Sequence, residues 1–347
     1  MILNKEPLTK SPELSQTTGG AKQDRRSDDG RKSALYRIVR MLGVFSLAGT
    51  WIGCLATWFW IADFLTQLTI QWTLLLLCWS IPLVWATRWK MALVVLLSAG
   101  MNLAVIVPYF IPSASVGEPA KAKAGEFPVL RIAALNVLRT NTHFQETLEV
   151  VLADNPDVIY LSEVQPAWKE FLEAIGQDYP YQLHNPSWEY TGVALLSKLP
   201  LEEAETISVG KVANPTYDFT LVLSDRKLRV IATHPLPPLG GDLSDARDQQ
   251  LRNLVQRFNV QQPRILLGDL NQSPWSPKFR QLLRKADLRD ASLGYGIEPT
   301  LAPLPTWLGG VKVDHFLVSE DVSVLDYFQR AVPDSDHQLI VLDCQVR

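Results

Sequence analysis

The pattern of hydrophobic and polar positions changes character near residue 115. Upstream lie three nearly uncharged apolar runs, at residues 41–62, 67–87 and 91–111, each close to the ~20 residues that carry a helix across ~30 Å of hydrocarbon. Downstream, apolar positions recur at strand and helix spacings in turn. Residues 129–135 read as a buried strand, Phe144, Leu148 and Val151 recur at helical spacing, and residues 158–161 read as a second strand. Further strands are predicted at 192–196, 228–233, 265–268, 313–318 and 339–346. The spacing predicts a helix over 244–258, capped by Ser244, with Leu251, Leu254, Val255 and Phe258 on one face, and another over 276–285. Such mixing indicates an α/β or α+β domain.

The polar first 33 residues lack core-forming periodicity and read as a disordered tail. The Pro-, Gly- and Ala-containing stretch 113–128 reads as a linker. The expected organisation is therefore a tail at 1–33, a three-span transmembrane block at 34–112, the linker, and a catalytic domain at 129–347. Tryptophans near the predicted span ends, such as Trp58, Trp60, Trp85 and Trp89, suit the headgroup region. Arg31, Lys32, Arg37 and Arg40 precede the first span and Arg88 and Lys90 lie between the second and third, whereas the first interspan loop offers only Asp63. The positive-inside rule then puts the N-terminus in the cytoplasm and, after three crossings, the domain outside it, in an integral protein of what reads as a bacterial cytoplasmic membrane.

Composition narrows the function. Residues 131–347 contain 20 Lys and Arg against 28 Asp and Glu, a net charge of about −8 that disfavours a nonspecific nucleic-acid surface. Only Cys344 belongs to this half, so a disulfide within it and a cysteine-rich metal motif are both excluded. Without a charge pair inside the spans or an internal repeat, nothing suggests a transport pathway.

The candidate chemistry sits at predicted strand ends: Asn136, Glu163, His234, Asp269 with Asn271, Asp314, and Asp336 with His337. Each alone has an ordinary reading, such as an Asx turn at Asp269–Asn271. Together they supply hard oxygen donors for a metal, neutral donors for phosphate oxygens and a histidine with a carboxylate partner, which is what phosphate-ester hydrolysis needs.

The segments Leu135-Asn136-Val137, Leu161-Ser162-Glu163-Val164, Gly192 to Ser197, Ala232-Thr233-His234-Pro235, Gly268-Asp269-Leu270-Asn271, Val313 to Ser319 and Ser335-Asp336-His337 occur in an order that resembles the endonuclease/exonuclease/phosphatase superfamily. The resemblance implies a deoxyribonuclease-like α+β fold, a four-layer β-sandwich flanked by helices, here preceded by three transmembrane helices. It further implies a Mg²⁺ or Mn²⁺ site at Glu163, Asn136 and Asp336. Asp269 and Asn271 would position water and phosphate, Asp314 would orient His337, and His337 would act as base or electrostatic donor. His234 would protonate the leaving oxygen and argues against the abasic-site branch. Ser162 replaces the family's usual Gln before the metal-binding Glu. From its helix Arg247 can reach a phosphate, with a solvated or ion-paired face as the alternative reading, and His315 is expected in the wall or just behind it. The expected partners are the bilayer and a phosphate-ester substrate, either nucleic acid or a lipid headgroup, and no protein partner is evident. The alternatives are a sphingomyelinase-like headgroup phosphodiesterase and an inactive membrane scaffold that retains the fold.

Overall fold

The structure is a computed structural model that describes residues 18–112, 128–210, 214–224, 226–259, 261–302 and 309–347. The linker expected at 113–128 lies almost wholly outside the described residues.

Strands β1 (Leu130–Asn136), β2 (Val158–Ser162), β3 (Tyr181–Asn185) and β4 (Val193–Ser197) join the C-terminal β11 (Val322–Ala331) and β12 (Gln338–Val346) in one sheet of order β11-β12-β1-β2-β4-β3. The second sheet takes β5 (Leu201–Ser208), β6 (Pro215–Val222), β7 (Lys227–Thr233), β8 (Arg264–Asp269), β9 (Arg289–Asp290) and β10 (Asp314–Val318) in the order β5-β6-β7-β8-β10-β9. Both faces of the central strands are buried, which is why they read as unbroken apolar runs. In β1, Ile132 and Ala134 enter the core between the sheets while Ala133 and Leu135 face the outer helices. In β8, Ile265 and Leu267 point inward and Leu266 outward.

Helix α5 (Phe144–Leu152) and Trp168, just ahead of α6 (Lys169–Ala174), cover the first sheet. Helices α7 (Gly241–Val255) and α8 (Pro277–Ala286) cover the second, giving the four expected layers. Ser276 caps α8, its hydroxyl accepting from the amides of Lys278 and Phe279. Ser244 does not cap α7. The helix starts at Gly241, so the Ser244 amide is already bonded to the Gly240 carbonyl and its hydroxyl is buried without a partner.

Ahead of this sandwich stand α1 (Thr18–Gly53), α2 (Trp60–Thr66), α3 (Thr69–Trp85) and α4 (Trp89–Ile106). The tail expected at 1–33 lies outside the residues whose surroundings the structure describes. Among the described residues, two helical stretches, Ala34–Gly53 and Trp89–Tyr109, are long and apolar enough to span a membrane, and α2 with α3 makes a third only if the pair, bent by 68°, counts as one span. The first span ends at Gly53, short of the expected residue 62. Helices α1, α3 and α4 pack through Trp79, Leu83, Ala92 and Val95. A Cβ at Gly43 would lie 2.1 Å from the Trp79 ring, so that contact depends on glycine.

Candidate active site

Strand pairing brings the candidate residues together. β1 runs parallel to β2, with Asn136 beside Ser162, and β8 runs antiparallel to β10, with Asp269 opposite Asp314. His234 directly follows β7 and His337 directly precedes β12, so all these residues gather at one edge of the sandwich.

Asp269 is the centre. Its Oδ1 accepts the Asn271 amide at 2.9 Å, which is the Asx turn foreseen at this position, while Oδ2 accepts from Asn136 Nδ2 at 3.1 Å. That same Oδ2 lies 3.4 Å from His234 Nδ1 and 3.8 Å from His337 Nε2. Burial alone would raise the Asp269 pKa. The charges of His337 and His234 and the Asn271 amide outweigh burial and hold the carboxylate well below its usual range. His337 Nδ1 meets Asp314 Oδ2 at 2.9 Å. Desolvation depresses the His337 pKa, but the carboxylates of Asp314 and Asp269 and the Asp314 hydrogen bond overcome it and push it up to about 10. His234 shows the same balance, with burial opposed by Asp269 and Glu163 and a net upward shift.

Glu163 occupies the left-handed region at φ 61° and Asn271 does so at φ 51°. Non-glycine residues held there cost about 1–3 kcal/mol each, a strain typical of functional sites. Glu163 Oε2 accepts the Arg139 amide and Oε1 accepts Asn136 Nδ2, both at 3.0 Å. The Asn136 carboxamide nitrogen bridges the carboxylates of Glu163 and Asp269, and its oxygen accepts the Leu138 amide, so it holds the two anions together at the expected metal site.

Arg247 takes the ion-paired reading and not the phosphate contact. It is wholly buried and donates to Asp63, to Asp248 and to the Asn271 carbonyl, leaving no arm for a phosphate. The sequence could not reveal this, because Asp63 comes from the helical block 184 residues away. His315 sits behind the site as expected, fully buried between Asp290 and the Gln272 carbonyl. Trp275 is buried against Tyr109 and does not line the site.

Sequence reasoning missed two supports. The Thr300 hydroxyl accepts the amides of Val313 and Asp314, and the Ser335 hydroxyl donates to the Asn136 carbonyl and accepts the His337 amide. Only the final fold brings Thr300 next to the site, whereas Ser335 stands within the Ser335-Asp336-His337 segment and the fold adds its bond to Asn136.

The donor set fits a divalent cation. Asp336 Oδ1 is buried without a partner, and burial raises the Asp336 pKa while the charges of Glu163 and Asp269 add to the rise against His337. Carboxylates in that state call for a counter-charge. Among the described residues, Asp269, Asp314 and His337 also bring ligand atoms within 4.8 Å of one another. In that set, His337 Nδ1 and Asp314 are already paired with each other.

The sequence model of the Endonuclease/Exonuclease/phosphatase family matches residues 133–337. No curated protein matches the chain. Among solved structures, an endonuclease/exonuclease/phosphatase from Beutenbergia cavernae superposes with a TM-score of 0.52 at 18% identity, covering 63% of this chain and 72% of that one. The human Nocturnin catalytic domain with bound sulfate gives 0.53 at 21%, covering 63% and 94%. D. rerio TDP2 complexed with single strand DNA product gives 0.51 at 16%, covering 62% and 98%. At these identities the likeness is one of fold.

Proposed function

Since the chain belongs to the endonuclease/exonuclease/phosphatase family, we propose that it is a membrane-anchored, divalent-metal-dependent phosphoesterase whose site faces away from the cytoplasm. One observation carries the reading: the Asp269 carboxylate, set between His234 and His337 with Asp314 behind the latter, stands beside the unpartnered Asp336 Oδ1.

A Mg²⁺ or Mn²⁺ ion held by Glu163 and Asp336 would polarise a phosphoryl oxygen and lower the pKa of a water. Asp269, kept ionised, orients the attacking water for in-line displacement. Protonated His337, locked by Asp314 through Nδ1, presents Nε2–H to the charge that develops on the phosphoryl oxygens. His234, whose pKa the carboxylates of Asp269 and Glu163 raise against burial, would deliver a proton to the leaving oxygen.

Topology supports the extracytoplasmic placement. Helix α2, after the first span, and Tyr109, ending the last, both abut the catalytic domain, whereas the basic Arg88–Lys90 turn lies at the other end of α3 and α4.

A lipid headgroup is the substrate the surroundings favour over nucleic acid. The loop that begins at Pro235, whose carbonyl accepts from Asn271, runs to Gly241, where a Cβ would stand 3.3 Å from the Trp60 ring of α2. Leu239 within it is 72% exposed. This loop therefore joins the site to the anchor and offers bare apolar surface there. The net negative charge of the domain does nothing to attract a polyanion.

The test is hydrolysis of bis(p-nitrophenyl) phosphate by the full-length protein in detergent. Turnover with Mg²⁺ or Mn²⁺, abolished by EDTA, is expected. No turnover with any divalent metal, or undiminished activity in His337→Ala, overturns the reading. Phospholipid vesicles compared with plasmid and single-stranded DNA then decide the substrate.

A further inference from the structure

Two chains of hydrogen bonds run from the helical block into the catalytic domain and end on adjacent carbonyls. In the first, Asp63 of α2 accepts from Arg247 at 2.6 Å, and Arg247 in turn donates to the Asn271 carbonyl at 2.9 Å. In the second, the Tyr109 hydroxyl donates to Asp290 at 3.2 Å, Asp290 faces His315 Nδ1 at 3.1 Å, and His315 Nε2 donates to the Gln272 carbonyl at 2.9 Å. Each residue along both chains is buried.

The first chain is electrostatically built around its helical-block member. Arg247 and Lys278 face Asp63 and Asp248, two cations against two anions, with Asp63 also accepting from the Ser276 hydroxyl. Without Asp63 the cluster holds one uncompensated buried positive charge, a strongly unfavourable state. What this arrangement grips is the far side of the Asx turn at Asp269–Asn271. Asn271 sits in the left-handed region, and its side chain reaches back to the Pro235 carbonyl. Arg247 and His315 grip the carbonyls of Asn271 and Gln272, immediately after the Asp269 carboxylate at the centre of the site.

We propose that Asp63 and Tyr109, both from the membrane block, are positioning residues of the catalytic centre, acting through Arg247 and His315 on the Asn271–Gln272 turn. The block then completes the site in addition to tethering it. This inference rests on the phosphoesterase reading above.

The experiment is a double-mutant cycle on the full-length protein in detergent, with bis(p-nitrophenyl) phosphate and Mn²⁺ as probes. Asp63→Asn should lower kcat by about tenfold or more, since a displacement of ~1 Å in a catalytic group costs up to ~10²-fold. In an Asn271→Ala background, which lacks the carboxamide that Asp63 helps to place, the same substitution should change kcat by less than about twofold, the mark of two residues acting through one path. Tyr109→Phe, which keeps the ring on Trp275, should lower kcat less and lose its effect in the same background. If Asp63→Asn fails to fold, Asp63→Glu, with the charge retained on an arm one methylene longer, replaces it in the cycle. Unchanged kcat in the single Asp63 variant, or an equal factor in both backgrounds, overturns the inference. Absence of turnover in the wild-type protein overturns the phosphoesterase reading instead, so the two failures are distinguishable.

Discussion

The pairing of His337 with Asp314 lends itself to a quantitative test by Asp314→Asn. The replacement is nearly isosteric, and its carboxamide oxygen can still accept from Nδ1, but the negative charge 2.9 Å from the ring is gone. That charge is the leading reason the His337 pKa lies near 10 in spite of burial, so its loss lets desolvation depress the value. The ring then shifts toward its neutral form near pH 7 and no longer opposes charge on the phosphoryl oxygens. A positioned proton donor or acceptor contributes about 10²–10⁴-fold to rate. The barrier should therefore rise by ~2.7–5.4 kcal/mol, at ~1.36 kcal/mol per decade. Folding should lose less, ~1.5–3 kcal/mol for a hydrogen bond that was charged. The assay is kcat for bis(p-nitrophenyl) phosphate with Mg²⁺ across pH 5–10 in the full-length protein, beside a thermal unfolding scan. The expected result is a folded variant with kcat down at least a hundredfold and whatever activity remains moved to lower pH. An Asp314→Asn protein within threefold of wild type, with an unchanged pH profile, would refute the role of the pair.

Other outcomes follow from single observations. Gly268 has φ 123°, and a Cβ there would stand 2.1 Å from the Thr233 carbonyl, so Gly268→Ala should destabilise by at least about 1–3 kcal/mol, read as a lowered Tm, while Gly100→Ala, with open space around it, should not. In EDTA, the folded pKa of His337 near 10 lies above its unfolded value of ~6.5, so its stabilising contribution is complete below pH ~6.5 and is lost as pH rises toward 10. Tm should fall across that window, and His337→Gln should flatten the slope. Burial raises the Cys344 thiol pKa, so a thiol reagent should label it only after denaturation, with labelling of the folded protein as the contrary result.

The sandwich was legible because its central strands bury both faces, which leaves a short apolar run with few alternative readings, as at residues 265–268. Edge strands lack that signature. β5 is exposed along most of its length, β3 alternates only weakly, and β9 has two residues, so nothing in their sequences separated them from loop. The site was legible as a set because Asn136, Asp269 and Asp314 terminate strands whose pairing the core dictates. The partners of each residue were not. Asn136 reads as a metal-site residue, and the two carboxylates it bridges are known only from the fold; Arg247 reads as a phosphate contact or an ion-paired side chain until Asp63 arrives beside it.

The misplaced end of the first span has the same root. Residues 54–62 are as apolar as the span before them, and apolarity does not separate a helix that crosses a bilayer from one that lies along its surface. The chain breaks its helix after Gly53, exposes Trp58 and Phe59, and restarts as α2 at a 68° bend to α3. The one charge in that stretch, Asp63, decides the outcome. A carboxylate left in hydrocarbon is costly, and here it has a buried guanidinium to meet, which requires α2 to lie against the catalytic domain. The same residue that offers the positive-inside count nothing in the first interspan loop thus fixes where that loop must go.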